Sequence, residues 1–341
     1  MAESIGAGGL SRFFRQHGVP EIVIFAGKGG LGKTTSSASL AYHMAVNEGK
    51  QTLCFSTDPQ ASLSDIFERD FYGKGDVELL PRLHVVEIDA DRRVADYQAQ
   101  VKKKIMDMYG LDAVPKEIDE YIDSTSAEPA MYESATYDAM AELVAQRNFN
   151  LYIFDMPPFG HGVRMVAMAD ILSRWVDKIT EARTKVAEYE AVAASLKGAK
   201  ATEDLVLKEL SSIRTKIKVF TDMITDRQRT AFFMVLIPER MAILDTERAL
   251  QMFRDLGITL SGLVVNQVYP VEMLDAPGLS DFTRKRIEMQ QHYVRQIHEQ
   301  FGNAVVATMP MFSREPKGLE MIQEAARYLM GEPAKPRVTN I

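Results

Sequence analysis

The sequence predicts an α/β protein: a doubly wound, mostly parallel sheet carrying an α-helical insertion subdomain. Three observations predict it. Seven short apolar runs, at 22–26, 52–56, 83–88, 151–154, 231–237, 262–265 and 304–308, alternate with helix-like stretches. Several are apolar without interruption, as parallel strands buried on both faces require. A glycine-rich segment joins the first run to the first helix, at the carboxyl edge where such sheets bind ligands. Two long stretches, about 91–147 and 163–226, interrupt the alternation with helical periodicity.

Taken in order, residues 1–18 lack a signal peptide's apolar core and are expected to be a flexible end, as are residues 332–341. The first strand, EIVIFA, runs directly into Gly27-Lys28-Gly29-Gly30-Leu31-Gly32-Lys33-Thr34. This fits G-x-x-x-x-G-K-[ST], the phosphate-binding loop of P-loop NTPases. Backbone N–H groups curl round a phosphate, and the helix dipole that follows favours its charge. The candidate nucleotide contacts are Gly27, Gly29, Gly30, Leu31, Gly32, Lys33, Thr34 and Thr35. Lys33 is expected to reach the β- and γ-phosphates of ATP, and the Thr34 hydroxyl to ligate Mg²⁺. Lys28 points out of such a loop. Its KGGxGKT setting resembles the deviant phosphate loops of the MinD, ParA, nitrogenase iron protein and ArsA group. That resemblance implies a lysine reaching the partner's nucleotide, hence a homodimer when ATP is bound.

The second strand leads into Thr57-Asp58-Pro59-Gln60. Asp58 at a strand's carboxyl end can orient or deprotonate the attacking water and bear on the metal; a helix-capping aspartate fits equally well. The strand at 151–154 ends in Asp155, an apolar strand followed by a carboxylate suited to Mg²⁺. Pro157-Pro158 and Gly160-His161-Gly162 follow, a stiff-then-pliant loop in which His161 is a switch contact or a structural residue. Asn266, near the end of another strand, has the amide donor and acceptor to pair with an adenine edge. Pro310 and Met311 close the last strand, where they can wall that base.

The insertions read as helices. Val94, Tyr97, Val101, Ile105 and Met108 recur at three- and four-residue spacing. Val206, Leu210, Ile213, Ile217, Phe220 and Ile224 do the same, opposite an earlier stripe of Trp175, Ile179, Ala182, Val186, Tyr189, Ala193 and Leu196. With a turn near 197–202, these form an antiparallel hairpin with a coiled-coil-like seam. Met106, Met108, Met131 and Met140 are candidates for an adaptable binding groove.

At this point the residues resemble a family. STDPQASLSD, DMPPFGHGVR, IPERMAILDTERA and VVNQ together resemble the ArsA-type ATPases over about residues 20–331. That family joins arsenical pump ATPases and targeting ATPases of tail-anchored membrane proteins. The resemblance implies SIMIBI-class P-loop cores in a homodimer, or a fused pseudo-dimer, with helical subdomains that open and close with nucleotide. It implies that Asp58 activates water, that Asp155 serves the metal, and that Asn266 contacts adenine beneath the Pro310-Met311 loop. It also places Glu239 near the partner's nucleotide. Two departures stand out. Cys54 is the only cysteine, so the thiolates of the metalloid site are missing. The zinc clasp of the eukaryotic targeting ATPases is replaced by Ser280 and Thr283.

Composition narrows the classes. The chain has 341 residues, 46% hydrophobic, and is read as one P-loop ATPase domain over 1–341. A net charge of −7, with no basic cluster, argues against a nucleic-acid partner. No run is long enough to span a membrane, so a cytoplasmic protein is expected, peripheral at most through a partner. The expected partners are a membrane arsenite carrier or, alternatively, a hydrophobic tail-anchor segment.

Overall fold

The computed structural model describes residues 8–56, 62–124, 139–156, 173–174, 176–185 and 205–332. Its chain divides into two units. One comprises residues 1–89, 147–162 and 227–341; the other comprises 90–146 and 163–226.

The first unit is built on an eight-stranded sheet in the order β3-β4-β2-β5-β1-β6-β7-β8. The strands are β1 Ile22–Ala26, β2 Thr52–Ser56, β3 Val77–Leu80, β4 Leu83–Glu87, β5 Leu151–Asp155, β6 Thr230–Leu236, β7 Leu260–Val268 and β8 Val305–Pro310. All neighbours pair in parallel except β3 with β4. Every residue of β1, β2, β5 and β6 is buried, which explains the apolar runs within them.

Alternation along β6 shows why the sheet is covered on both sides. Phe233 meets Phe13 and Phe14 of α1 (Gly9–His17), with ring centroids 5.1 and 6.3 Å away. Phe232, pointing the other way, meets Phe253 of the helix Arg240–Asp255. The expected flexible start is therefore corrected for residues 9–17. Leu10 is fully buried and Phe14 nearly so. Such aromatic pairs add about 0.5–1.5 kcal/mol each beyond their burial, enough to hold a short amphipathic helix on the sheet.

One other element differs from the sequence reading. β3 was absent from it, because the strand is a half-exposed edge interrupted by Glu78 rather than an apolar run. It pairs back on β4, with Arg82 at φ +71° completing the tight connection. The helix that follows the phosphate loop is α2 (Lys33–Tyr42), continued by a wider π turn, His43–Asn47.

The second unit is helical among its described residues. α4 (Ala90–Tyr109) packs on α5 (Lys116–Ser124). Gln98 donates to the Ile122 carbonyl, and Lys102 lies between Asp119 and Asp123 at 2.6 and 2.7 Å. In the later insertion, Val176 and Ile179 pack with Leu210 and Ile217 of the helix Leu205–Thr225. The intervening turn lies outside the described residues. Of the four methionines offered as a groove, Met140 is fully buried and Met106 half-buried. Met131 lies outside the described residues, as does the Met108 side chain.

Candidate nucleotide site

Seven of the eight strands run the same way, so their carboxyl ends form one rim. The phosphate loop leaves that rim from β1, near the middle of the sheet. Asp155 stands beside it on β5, and β6 lies on its other side.

Two glycines let the loop form. At Gly27 the backbone takes φ +153°, and a Cβ would lie 2.5 Å from the Val235 carbonyl oxygen of β6. That neighbour is backbone and cannot swing aside. At Gly32, with φ +95°, a Cβ would collide with the Asn266 amide. The loop is thus pressed between strand β6 and a side chain of β7. Gly30, Leu31 and Gly29 complete the turn, and Ser36 N donates to the Gly32 carbonyl at 3.0 Å to start α2.

Lys33 is buried, 6% exposed, and its ammonium donates to the Lys28 carbonyl at 3.1 Å. A buried lysine turned back over a glycine loop is a strong anion anchor. The Thr34 hydroxyl donates to Asp155 Oδ2 at 2.7 Å, so residues 121 apart in sequence meet at one point. Asp155 is 1% exposed, and Ser62 Oγ also lies 3.4 Å from its Oδ2. A hydroxyl and a carboxylate are hard oxygen donors. They suit Mg²⁺, which takes one or two protein oxygens beside phosphate and water. No cluster of three His, Cys, Asp or Glu residues suited to a metal occurs among the described residues. Thr35, 9% exposed, follows in the first turn of α2.

Asn266 is placed against the phosphate loop. Its Nδ2 donates to the Leu31 carbonyl at 2.9 Å, and the residue is 5% exposed. One amide group is therefore committed to holding the loop, a role its sequence position did not disclose. Pro310 ends β8 beside Val268, and Met311 N donates to the Val268 carbonyl at 2.8 Å. Both residues are half-buried at the same rim. Glu239 is exposed and directly precedes the helix Arg240–Asp255 after β6, its side chain making no capping hydrogen bond.

Lys28, 57% exposed on its side chain, does point outward, and its ammonium lies 3.2 Å from Asp245 of that helix. Asp58 and His161 lie outside the described residues. Cys54 is fully buried on β2; burial, and then the negative Asp155 and Glu87, push its thiol well above the usual range.

Three contributors escaped the sequence reading. Asp245 pairs with Lys28. Gln290 donates to the Gln267 carbonyl at 2.8 Å and accepts from Tyr269 N at 2.7 Å, fastening the chain after Asn266. Glu87 is a buried carboxylate ending β4. A charge closing the run LHVVE was the available signal for it.

Comparison with known proteins accords with this geometry. The model of the anion-transporting ATPase family matches residues 20–331. A protein of Aquifex aeolicus named as an arsenical pump-driving ATPase is 26% identical over 310 residues, covering 90% of this chain and 98% of its own length. An ATPase ASNA1 homolog of Paramecium tetraurelia is 26% identical over 324 residues, covering 93% and 95%. The ATPase GET3 of Debaryomyces hansenii is 27% identical over 334 residues, covering 92% and 91%. With a phosphate loop, its threonine–aspartate pair and a match along nearly its whole length, this chain belongs to the anion-transporting ATPase family.

Proposed function

We propose that this chain hydrolyses Mg²⁺-ATP in a homodimer cycle and serves as an arsenical pump-driving ATPase with a membrane arsenite carrier. The observation that carries the chemistry is the Thr34–Asp155 contact at 2.7 Å beside the buried Lys33. Lys33 and the loop N–H groups hold the β- and γ-phosphates. Thr34 and Asp155 would hold Mg²⁺, which when bound would neutralise phosphate charge. Asp58, just beyond β2, orients and deprotonates the attacking water. Asn266 fixes the loop and, with Pro310 and Met311, borders the base. Lys28 and Glu239 act at the partner's nucleotide, so hydrolysis is coupled to dimer closure. Similarity to the Aquifex aeolicus protein named as an arsenical pump-driving ATPase supports the pump role. The chain works in the cytoplasm and meets the membrane through its carrier.

One observation favours a second reading, a targeting factor for tail-anchored membrane proteins. The sole cysteine is fully buried with a thiol that resists ionisation. As(III) prefers soft thiolate ligands, so arsenite is expected to bind this chain weakly or not at all. In the pump reading the carrier, and not this chain, recognises the metalloid.

The test is ADP release by the purified chain, with Lys33→Ala as control. It is run alone, with arsenite or antimonite, with vesicles bearing an arsenite carrier, and with a hydrophobic tail peptide. The pump reading expects Mg²⁺- and Lys33-dependent hydrolysis that arsenite stimulates only when the carrier vesicles are present. Response to the peptide and none to the carrier would replace it with the targeting reading.

A further inference from the structure

Glu87 lies on the same rim as the metal-binding pair, one strand beyond β2. Register places Ser56 of β2 between Glu87 of β4 and Asp155 of β5. Two carboxylates, each 1% exposed, therefore flank one serine at the carboxyl ends of adjacent strands.

The first turn of α3 (Ser62–Phe67) lies across both. Ser62 Oγ is 3.4 Å from Asp155 Oδ2 and 3.4 Å from Ser56 Oγ. The next two residues turn to Glu87: Leu63 N donates to Oε1 at 2.7 Å, and Ser64 N to Oε2 at 3.1 Å. The Ser64 hydroxyl also donates to Oε2, and accepts from Phe71 N at 2.9 Å. Glu87 thus receives three hydrogen bonds from two consecutive residues. A carboxylate is a costly group to bury unless such donors satisfy it. Burial pushes its pKa up, and the donors from Ser64 and Leu63 oppose that rise.

We propose that Glu87 is a positioning residue for ATP hydrolysis: it clamps the first turn of α3 so that Ser62 is held on the Thr34–Asp155 pair. A simple helix cap would satisfy the same N–H groups. Here, however, the turn that Glu87 holds also bears on Asp155, through Ser62 Oγ. Ser62 is an arm of this clamp, and Glu87 its fixed end on the sheet. Misplacing a group at a reacting centre by about 1 Å can cost about 10²-fold in rate, so the clamp should register in kcat more than in nucleotide affinity.

This inference rests on the ATPase reading above. Its test measures kcat and KM for Mg²⁺-ATP, affinity for a fluorescent ATP analogue, and the melting temperature of the full chain. The variants are Glu87→Gln, Glu87→Asp, Ser64→Ala and Ser261→Ala. The last removes a hydrogen bond that Ser261 accepts from Phe232 N at 3.1 Å, near the amino ends of β7 and β6 and so at the opposite edge of the sheet from the phosphate loop. Expected is a fall in kcat of about 10-fold or more for Glu87→Gln with analogue affinity within about threefold. Ser64→Ala should lose less, and it keeps the question answerable if Glu87→Gln does not fold. Ser261→Ala should melt earlier yet turn over normally. Wild-type kcat in Glu87→Gln and Ser64→Ala, whatever their melting temperatures, would overturn the positioning role alone. No Lys33-dependent hydrolysis by the wild-type chain would overturn the ATPase reading, and this inference with it.

Discussion

Replacing Gly32 by alanine probes how the phosphate loop is held. Two costs are readable from the structure. The backbone sits at φ +95°, where a side chain costs about 1–2 kcal/mol. The new Cβ would collide with Asn266 Nδ2, so the amide must swing away and release the Leu31 carbonyl. Losing that buried bond costs about 1 kcal/mol or somewhat more. Gly32→Ala should therefore destabilise the protein by about 2–3 kcal/mol. Asn266→Ala removes the same bond without the backbone strain and should cost about 1–2 kcal/mol. The double variant should cost less than the sum, by about 1 kcal/mol, because one hydrogen bond cannot be lost twice. Urea unfolding followed by circular dichroism on the four proteins measures the cycle. Gly30→Ala is the control: it carries φ +76° with nothing within 4 Å of its Cβ, so only strain applies. Strict additivity, within about 0.3 kcal/mol, would refute the claim that Gly32 is glycine to make room for Asn266.

Lys33→Ala should weaken both nucleotide binding and turnover, whereas Asp58→Asn should bind ATP yet turn over about 10²-fold more slowly or worse; single-turnover ADP release with near-normal rates in Asp58→Asn would remove the water-activating role. Lys28→Ala should keep nucleotide binding but lose dimer-stimulated hydrolysis, while Asp245→Ala should spare both, since an exposed pair is worth at most about 1 kcal/mol; sedimentation with a non-hydrolysable analogue and turnover against protein concentration check this. His43 is buried between Glu48 and Glu332, and burial holds its pKa below the usual value, with both carboxylates opposing. The unfolded chain therefore binds the proton more readily. Stability is fully present above about pH 6.5 and is lost as pH falls from there through the folded-state value. Urea midpoints from pH 7.5 to 5 should decline less in His43→Gln than in the wild type, and parallel curves would refute this.

Much of this protein was written locally and could be read locally. Continuous burial makes continuous apolar runs, so the strands at 22–26, 52–56, 83–87 and 151–155 were legible within a residue or two. The phosphate loop was legible because its chemistry needs glycines, a lysine and a threonine at consecutive positions. What stayed hidden depends on which strands lie side by side. β3 has an ordinary half-exposed sequence and exists as a strand only because β4 offers it an edge. α1 looks like a loose end until Phe233 is placed beneath Phe13 and Phe14. Asn266 carried the mark of a base-reading residue, yet only the arrangement of β7 behind the loop sets its amide on Leu31. Glu87 looked like the charged end of a run, and only the order β4-β2-β5 makes it the mirror of Asp155 across Ser56. Sequence thus determined the pieces whose function is carried by neighbours in the chain. Tertiary structure decided the contacts between strand ends, because hydrogen bonds depend on distances of about 3 Å that residue spacing alone does not set.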